Sequence, residues 1–164
     1  MLIISGLMRT LSIKLLKKDK PWFEANLIDI QFIANYLTSI LNQVRPSKSR
    51  VTYKLKVAVV DLEYSYYDFS DTLFIARKVS GFKANKQKAR IIEDLFHEFG
   101  HFVQYRIDRV PLCKFAIDHE ETSFTSYFKN KTEVQARAFS RLSKECVDSF
   151  RKIRKMKRHL IKIL

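Results

Sequence analysis

Residues 95–104, LFHEFGHFVQ, contain two histidines, His97 and His101, that are one helical turn apart. Side chains four residues apart lie on the same face of an α-helix, so both imidazoles can bind one metal ion. Glu98 follows the first histidine directly and would lie beside that ion, where a general base is needed. In a chain of this composition the chance of this motif is small, with an expected count of about 0.005. The stretch therefore predicts a zinc site.

The sequence around this motif predicts an amphipathic helix over residues 86–108. At about 100° per residue, the apolar positions fall within an arc of roughly 140°, and both histidines project from the far side. These apolar residues are Ile91, Ile92, Leu95, Phe96, Phe99, Phe102 and Val103. Pro111 ends the pattern, since the residue before a proline disfavours helix. One face of the helix therefore packs and the other is available to metal.

A catalytic zinc site needs three protein ligands and an open position for water. Three downstream residues can supply the third ligand: His119, Glu120 and Glu133. We favour Glu133, because a helix holds a carboxylate more rigidly than a loop does. Glu133 lies in the predicted helix TEVQARAF, which carries the small residues Ala136 and Ala138 that let two helices approach closely. Glu120 is kept as the alternative third ligand.

The combination of LFHEFGHFVQ with YFKNKTEVQARAF resembles the compact gluzincin metallopeptidase domains of phage and mobile-element polyvalent proteins. More distantly it resembles the peptidases of the ImmA/IrrE type. In such families a helix-borne glutamate with an alanine three residues on is the third zinc ligand, which corresponds to Glu133 and Ala136. The resemblance implies an α+β, zincin-like fold in which a small sheet packs on the active-site helix and a second helix bears the last ligand.

The remaining patterns predict helices and strands around this centre. Residues 22–44 repeat apolar side chains at helical spacing, and prolines bracket them. Residues 51–62 and 72–79 are apolar and β-branched, as strands are. The second of these strands either forms a sheet edge that pairs with a peptide substrate or is buried. Residues 112–129 are irregular, and a last helix begins with Thr132 as its N-cap.

The chain is long enough for one domain with its own core. We therefore expect a single domain over residues 1–164, with an N-terminal extension (1–20) and a basic helical tail (151–164). Several further side chains are candidates for catalysis. Asp94 lies one turn before the first histidine and can orient it. The candidates for stabilising an oxyanion are His119, Tyr127, Tyr105 and Arg137.

The formal charge of +14 favours nucleic acid, anionic lipid or acidic protein as partners. In the tail, RKIRKMKRHLIKIL, basic and apolar residues alternate at near-helical spacing, which indicates either packing on the domain or contact with an anionic surface. Cys113 and Cys146 have no CxxC spacing, so a reducing compartment is expected. The chain has neither a convincing secretory signal nor a membrane-length apolar run. We therefore expect a cytoplasmic location, in the host cytoplasm if a phage encodes the protein.

Together these patterns predict a zinc-dependent metallopeptidase. Water activated by zinc would attack a peptide bond of a protein substrate, with Glu98 as general base. The alternative is a non-catalytic protein on the same scaffold, which binds nucleic acid or a protein partner through its basic surface. Both alternatives predict zinc binding.

Overall fold

The computed structural model describes residues 9–26, 28–77, 84–112 and 130–163. It contains helices and a four-stranded sheet, which confirms the predicted α+β class. The strands are β1 (Arg9–Leu15), β2 (Val51–Val60), β3 (Tyr66–Tyr67) and β4 (Thr72–Ala76). The α-helices are α1 (Lys20–Ala25), α2 (Ile30–Val44), α3 (Ala84–Phe102) and α4 (Lys131–Ile163). The chain divides into two compact units, Met1–Ala58 and Val59–Leu164.

Strand β1 lies within residues 1–20, for which the sequence analysis gives only an N-terminal extension. It pairs in parallel with the first part of β2 along its whole length. Side chains of α2 bond to its backbone. Asn42 accepts from the Arg9 N–H and donates to the Arg9 carbonyl, both at 2.8 Å, and the Thr38 hydroxyl accepts from the Leu11 N–H at 3.2 Å. These contacts satisfy backbone groups that an edge strand would otherwise leave unpaired.

The sequence predicts one helix over residues 22–44, but the structure has two helices there, α1 and α2. The prediction of a single continuous helix is therefore wrong. The side-chain amide of Asn26 donates to the Trp22 carbonyl at 2.8 Å, and the Asn26 backbone N–H bonds to the same oxygen at 3.1 Å. The Asp29 carboxylate then accepts from the Phe32 N–H at 2.9 Å and caps α2. Asparagine and aspartate compete with a continuous helix through such local bonds, so the chain stops and restarts here.

Strand β4 lies inside the sheet, whose strand order is β1-β2-β4-β3. Its neighbour β3 pairs with it in antiparallel fashion, so that Tyr66 is opposite Phe74. Leu73 and Ile75 of β4 are fully buried. Of the two alternatives for residues 72–79, burial is therefore confirmed for Thr72–Ala76, and the edges of the described sheet are β1 and β3.

Helix α3 carries the metal-binding motif, and its predicted packing face is confirmed. All seven predicted apolar side chains are at most 4% exposed: Ile91, Ile92, Leu95, Phe96, Phe99, Phe102 and Val103. The helix continues as a π-helical segment, Val103–Ile107. Arg109 then adopts the left-handed conformation (φ 59°), and the Val110 N–H bonds to the Gln104 carbonyl. This closes the helix before Pro111, as predicted.

Helix α4 spans 33 residues and includes the predicted helical tail as far as Ile163. Its N-cap is Asn130 and not Thr132. The Asn130 Oδ1 atom accepts from the Thr132 N–H at 2.9 Å and from its hydroxyl at 2.8 Å. The helix starts earlier than predicted because asparagine accepts the N–H bonds that a helix start leaves open. Among the described residues, no helix is both long enough and apolar enough to cross a membrane.

Helices α3 and α4 approach closely where Gly100 faces Ala136. A Cβ atom added at Gly100 would lie 2.8 Å from the Ala136 Cα and 3.2 Å from the ring of Phe139. Ala136 is fully buried, whereas Ala138 is exposed. Of the two small residues predicted to permit this approach, Ala136 is therefore the one at the interface. The contact fixes the spacing between the two helices that bear the motif and Glu133.

We expect Gly100→Ala to lower the free energy of unfolding by about 1–2 kcal/mol, because its methyl group would force α4 away from α3. At an exposed helical site the same change would raise the free energy of unfolding by about 1 kcal/mol, since alanine favours helix more than glycine does. Urea denaturation measures the difference. Ala138→Gly, at an exposed site of α4, is the control for helix propensity alone. A stabilised Gly100→Ala protein would contradict the close approach.

Candidate metal centre

His97, His101 and Glu133 form a compact cluster between α3 and α4. The Glu133 carboxylate lies between the two imidazoles, with Oε2 3.2 Å from His97 Nε2 and Oε1 3.3 Å from His101 Nε2. The side chain of Glu133 is 1% exposed. One ligand atom from each residue lies within 4.8 Å of the others, so the group can hold a metal ion. The first and last of the three predicted ligands are 36 positions apart in the sequence, and the fold brings all three together.

Glu98 lies beside this cluster and lines the same cleft. It is only 6% exposed. Burial raises the pKa of its carboxyl to about 7, although the neighbouring imidazoles of His101 and His97 act in the opposite direction. A carboxyl group with a pKa near neutrality can both take up and release a proton at physiological pH. This is the behaviour that the sequence predicts for the general base.

His101 is oriented by Gln104, a residue that sequence reasoning missed. Gln104 Nε2 donates to the Thr132 carbonyl at 2.8 Å and to Gln135 Oε1 at 3.1 Å, which leaves its Oε1 facing His101 Nδ1 at 3.0 Å. An amide oxygen can only accept, so Nδ1 carries the proton and Nε2 is left to bind a metal. The sequence shows only a polar residue three positions after the second histidine, which does not by itself identify an orienting role.

The protonation of His101 also depends on its acidic neighbours. Burial disfavours the charged imidazolium, but the hydrogen bond to Glu133 and the charge of Glu98 outweigh this and raise the pKa of His101 above its ordinary value. A metal ion at Nε2 must displace the proton bound there. Metal binding should therefore weaken as the pH falls.

We expect Gln104→Leu to lower the affinity for zinc about 10- to 100-fold, because a ligand that loses its orienting hydrogen bond binds metal less well. Competition with a chromophoric chelator measures the change. Gln135→Ala is the matched control, since Gln135 contacts Gln104 but is exposed, and it should keep near wild-type affinity. Equal losses in both variants would contradict an orienting role for Gln104.

The cleft next to the cluster has a volume of about 540 Å³, and a mostly aromatic segment forms its wall. This wall consists of Leu62, Tyr64, Ser65, Tyr66, Tyr67 and Phe69. Phe69 has a positive φ of 61°, a conformation that costs a non-glycine residue about 1–3 kcal/mol. The Asp68 carboxylate holds this turn, since it accepts from the N–H groups of Ser70 at 2.9 Å and Thr72 at 3.1 Å.

Asp94 and Arg137 line a second cleft of about 450 Å³ that also reaches His97 and Glu98. Both carboxylate oxygens of Asp94 have partners: Oδ1 lies 3.0 Å from the Arg90 guanidinium, and Oδ2 accepts from the Ser65 hydroxyl at 3.0 Å. Burial raises the pKa of Asp94. The predicted role of Asp94 in orienting His97 stays a prediction, as does that of Arg137 at the oxyanion.

The other predicted site residues divide into two groups. Tyr105 is described, and its ring packs on Phe69, with centroids 5.1 Å apart. Three candidates lie outside the described residues: His119, Glu120 and Tyr127. Cys113 also lies outside them, whereas Cys146 is a buried free thiol.

The chain was compared with known families and proteins. No family model, no curated protein and no solved structure matches it. The resemblance to compact gluzincins therefore rests on the two quoted motifs alone.

Proposed function

We propose that this protein is a zinc-dependent metallopeptidase that hydrolyses peptide bonds of a protein substrate. The observation that carries the proposal is the buried carboxyl of Glu98 beside the cluster of His97, His101 and Glu133. A site that only holds a metal for stability needs a closed set of ligands and no additional acid. Here the three candidate ligands and Glu98, which is a second carboxyl group beside that of Glu133, line one open cleft.

The donor set supports zinc as the metal. Two imidazoles and one carboxylate are a common ligand set of catalytic zinc. The shortest imidazole-to-carboxylate distances, 3.2 and 3.3 Å, run to different oxygens of Glu133, and one ligand atom from each of the three residues lies within 4.8 Å of the others. His97, His101 and Glu133 are the residues that would hold the ion.

When bound, zinc would lower the pKa of a coordinated water toward about 7 and polarise a substrate carbonyl. Glu98 would take a proton from the attacking water and deliver it to the leaving amine. Its raised pKa suits both transfers, because neither protonation state is strongly favoured near neutrality. Gln104 would keep His101 in the tautomer whose Nε2 faces the site.

The cleft also offers a way to hold an extended peptide. Strand β3 is at the sheet edge among the described strands, and its two residues line the cleft. An edge strand can pair with a substrate backbone, whose side chains then alternate between the cleft and solvent. The neighbouring Tyr64 is 66% exposed, so its ring is available to an apolar substrate side chain. The substrate would thus be a peptide in extended conformation.

The test is a digestion of a peptide library by the purified full-length chain, with zinc measured by elemental analysis. We expect about one zinc per chain, cleavage products in the mass spectrum, loss of cleavage after chelation, and recovery when zinc is returned. The alternative, a non-catalytic scaffold that binds nucleic acid or a protein partner, predicts bound zinc without cleavage. Cleavage that persists after complete removal of the metal would contradict the proposal.

A further inference from the structure

The exposed face of the β1–β2 pair carries only lysine and hydroxyl side chains. Alternate residues of a strand point to the same face of a sheet. Leu11 and Leu55 are buried on the opposite face, and the alternate residues are exposed. The parallel register pairs Thr10 with Thr52, Ser12 with Lys54, and Lys14 with Lys56. We call these six residues the lysine face.

Three positive charges are close together on the lysine face, and none of its six side chains is acidic. Lys14 is directly opposite Lys56, and Lys54 is two residues from Lys56 on the same side of β2. Like charges at neighbouring positions of a sheet repel each other. Among the described residues, no carboxylate forms an ion pair with any of the three ammonium groups. An external anion would relieve this repulsion.

We propose that the lysine face binds the phosphate backbone of a duplex nucleic acid. Lysine side chains and the hydroxyls of serine and threonine are common donors to phosphate oxygens. The lysine face presents both kinds of donor in rows, and the exposed Lys17 and Lys18 lie two and three residues after the end of β1. A net charge of +14 would attract the same polyanion over a longer range. Such binding depends on salt and not on base sequence.

The composition of the lysine face distinguishes a duplex from other polyanions. Single-stranded nucleic acid is held largely by aromatic side chains on which the bases stack, and the lysine face has none. Amphipathic segments that insert into a membrane surface bury apolar side chains, and none of the six residues is apolar. Backbone phosphates of a duplex need only charge and hydrogen-bond donors, which are the groups present here.

The test measures binding of a labelled DNA duplex to the full-length chain by fluorescence anisotropy, at about 50 to 200 mM salt. The variant combines Lys14→Gln, Lys54→Gln and Lys56→Gln. We expect this variant to bind the duplex about tenfold more weakly. The slope of log affinity against log salt should become smaller by about 2–3, because each phosphate contact contributes about 0.9 to that slope. The control combines Lys48→Gln, Lys131→Gln and Lys144→Gln, which removes the same charge from exposed positions elsewhere.

A further variant separates loss of charge from loss of structure. Replacing the same three lysines by arginine keeps the charge and should keep both affinity and salt slope. Equal weakening by the face and control variants would overturn the proposal, as would absence of duplex binding. The proposal would also be overturned if the protein bound a single strand as tightly as the duplex. Binding to phosphatidylserine vesicles instead of the duplex would overturn it as well. The metal cluster belongs to the other compact unit, so these results are independent of peptidase activity.

Discussion

Glu98→Gln is expected to abolish peptide hydrolysis while zinc stays bound at wild-type stoichiometry. The amide keeps the shape of the buried side chain but cannot take a proton from water, and general base catalysis contributes about 10²- to 10⁴-fold to such rates. Glu98 is not among the three residues that would hold the metal, so the ligand set stays complete. The experiment compares initial rates on the best library peptide and measures zinc in the same samples.

Glu145→Gln is the matched control for this experiment. Glu145 is an exposed residue of α4, and the substitution makes the same chemical change away from the cleft. It should leave both the rate and the zinc content unchanged. A Glu98→Gln protein that cleaves at the wild-type rate would remove Glu98 from the mechanism. Loss of both zinc and activity would instead give Glu98 a role in binding the metal.

The helical part of the candidate site is local, so its residues can be proposed from the sequence alone. His97, Glu98 and His101 are within about one turn, and the apolar residues predict one buried face of α3. Glu133 belongs to a different helix, and only tertiary contact brings it to the histidines. The small residues Gly100 and Ala136 lie at that contact, and Glu133 as the third ligand stays a prediction.

Gln104 could not be assigned a role from sequence because its role depends on distant groups. Its amide nitrogen donates to the Thr132 carbonyl, 28 residues away, and to Gln135, and these bonds leave the amide oxygen facing His101. A buried glutamine on an amphipathic helix has no distinctive pattern of its own. Polar residues that orient a ligand are therefore found from contacts, after the fold is known.

The sequence analysis misses two features of the fold, strand β1 and the break between α1 and α2. Each has a local signal in the sequence, but tertiary contacts are needed to interpret that signal. Leu11 and Ile13 alternate with polar residues, as in a half-buried strand, but their partner strand begins about 40 residues later. Apolar spacing over residues 22–44 suggested one helix, although Asn26 and Asp29 are typical of helix ends. In both places apolar periodicity alone was insufficient, because capping and sheet pairing decided where each element begins and ends.

Glu133→Ala is expected to lower the affinity for zinc at least about 100-fold, because removing a ligand should cost at least as much as removing a residue that only orients one. The two imidazoles that remain cannot hold the ion as three ligands do. Competition with a chromophoric chelator measures the affinity, and Glu133→Gln tests the charge with the shape preserved. Since the Glu133 side chain is 1% exposed between the helices, circular dichroism on each variant should verify the fold.

Glu145→Ala, on the same helix at an exposed position, is the control and should keep full affinity for zinc. Wild-type affinity in Glu133→Ala would exclude Glu133 as a ligand and direct attention to Glu120 and His119. Substitution of Glu120 or His119 would then abolish zinc binding, although Glu133→Ala did not. If the affinity is lost in Glu133→Ala alone, α3 and α4 together form the metal centre, and the Gly100–Ala136 contact determines how far apart its ligands lie.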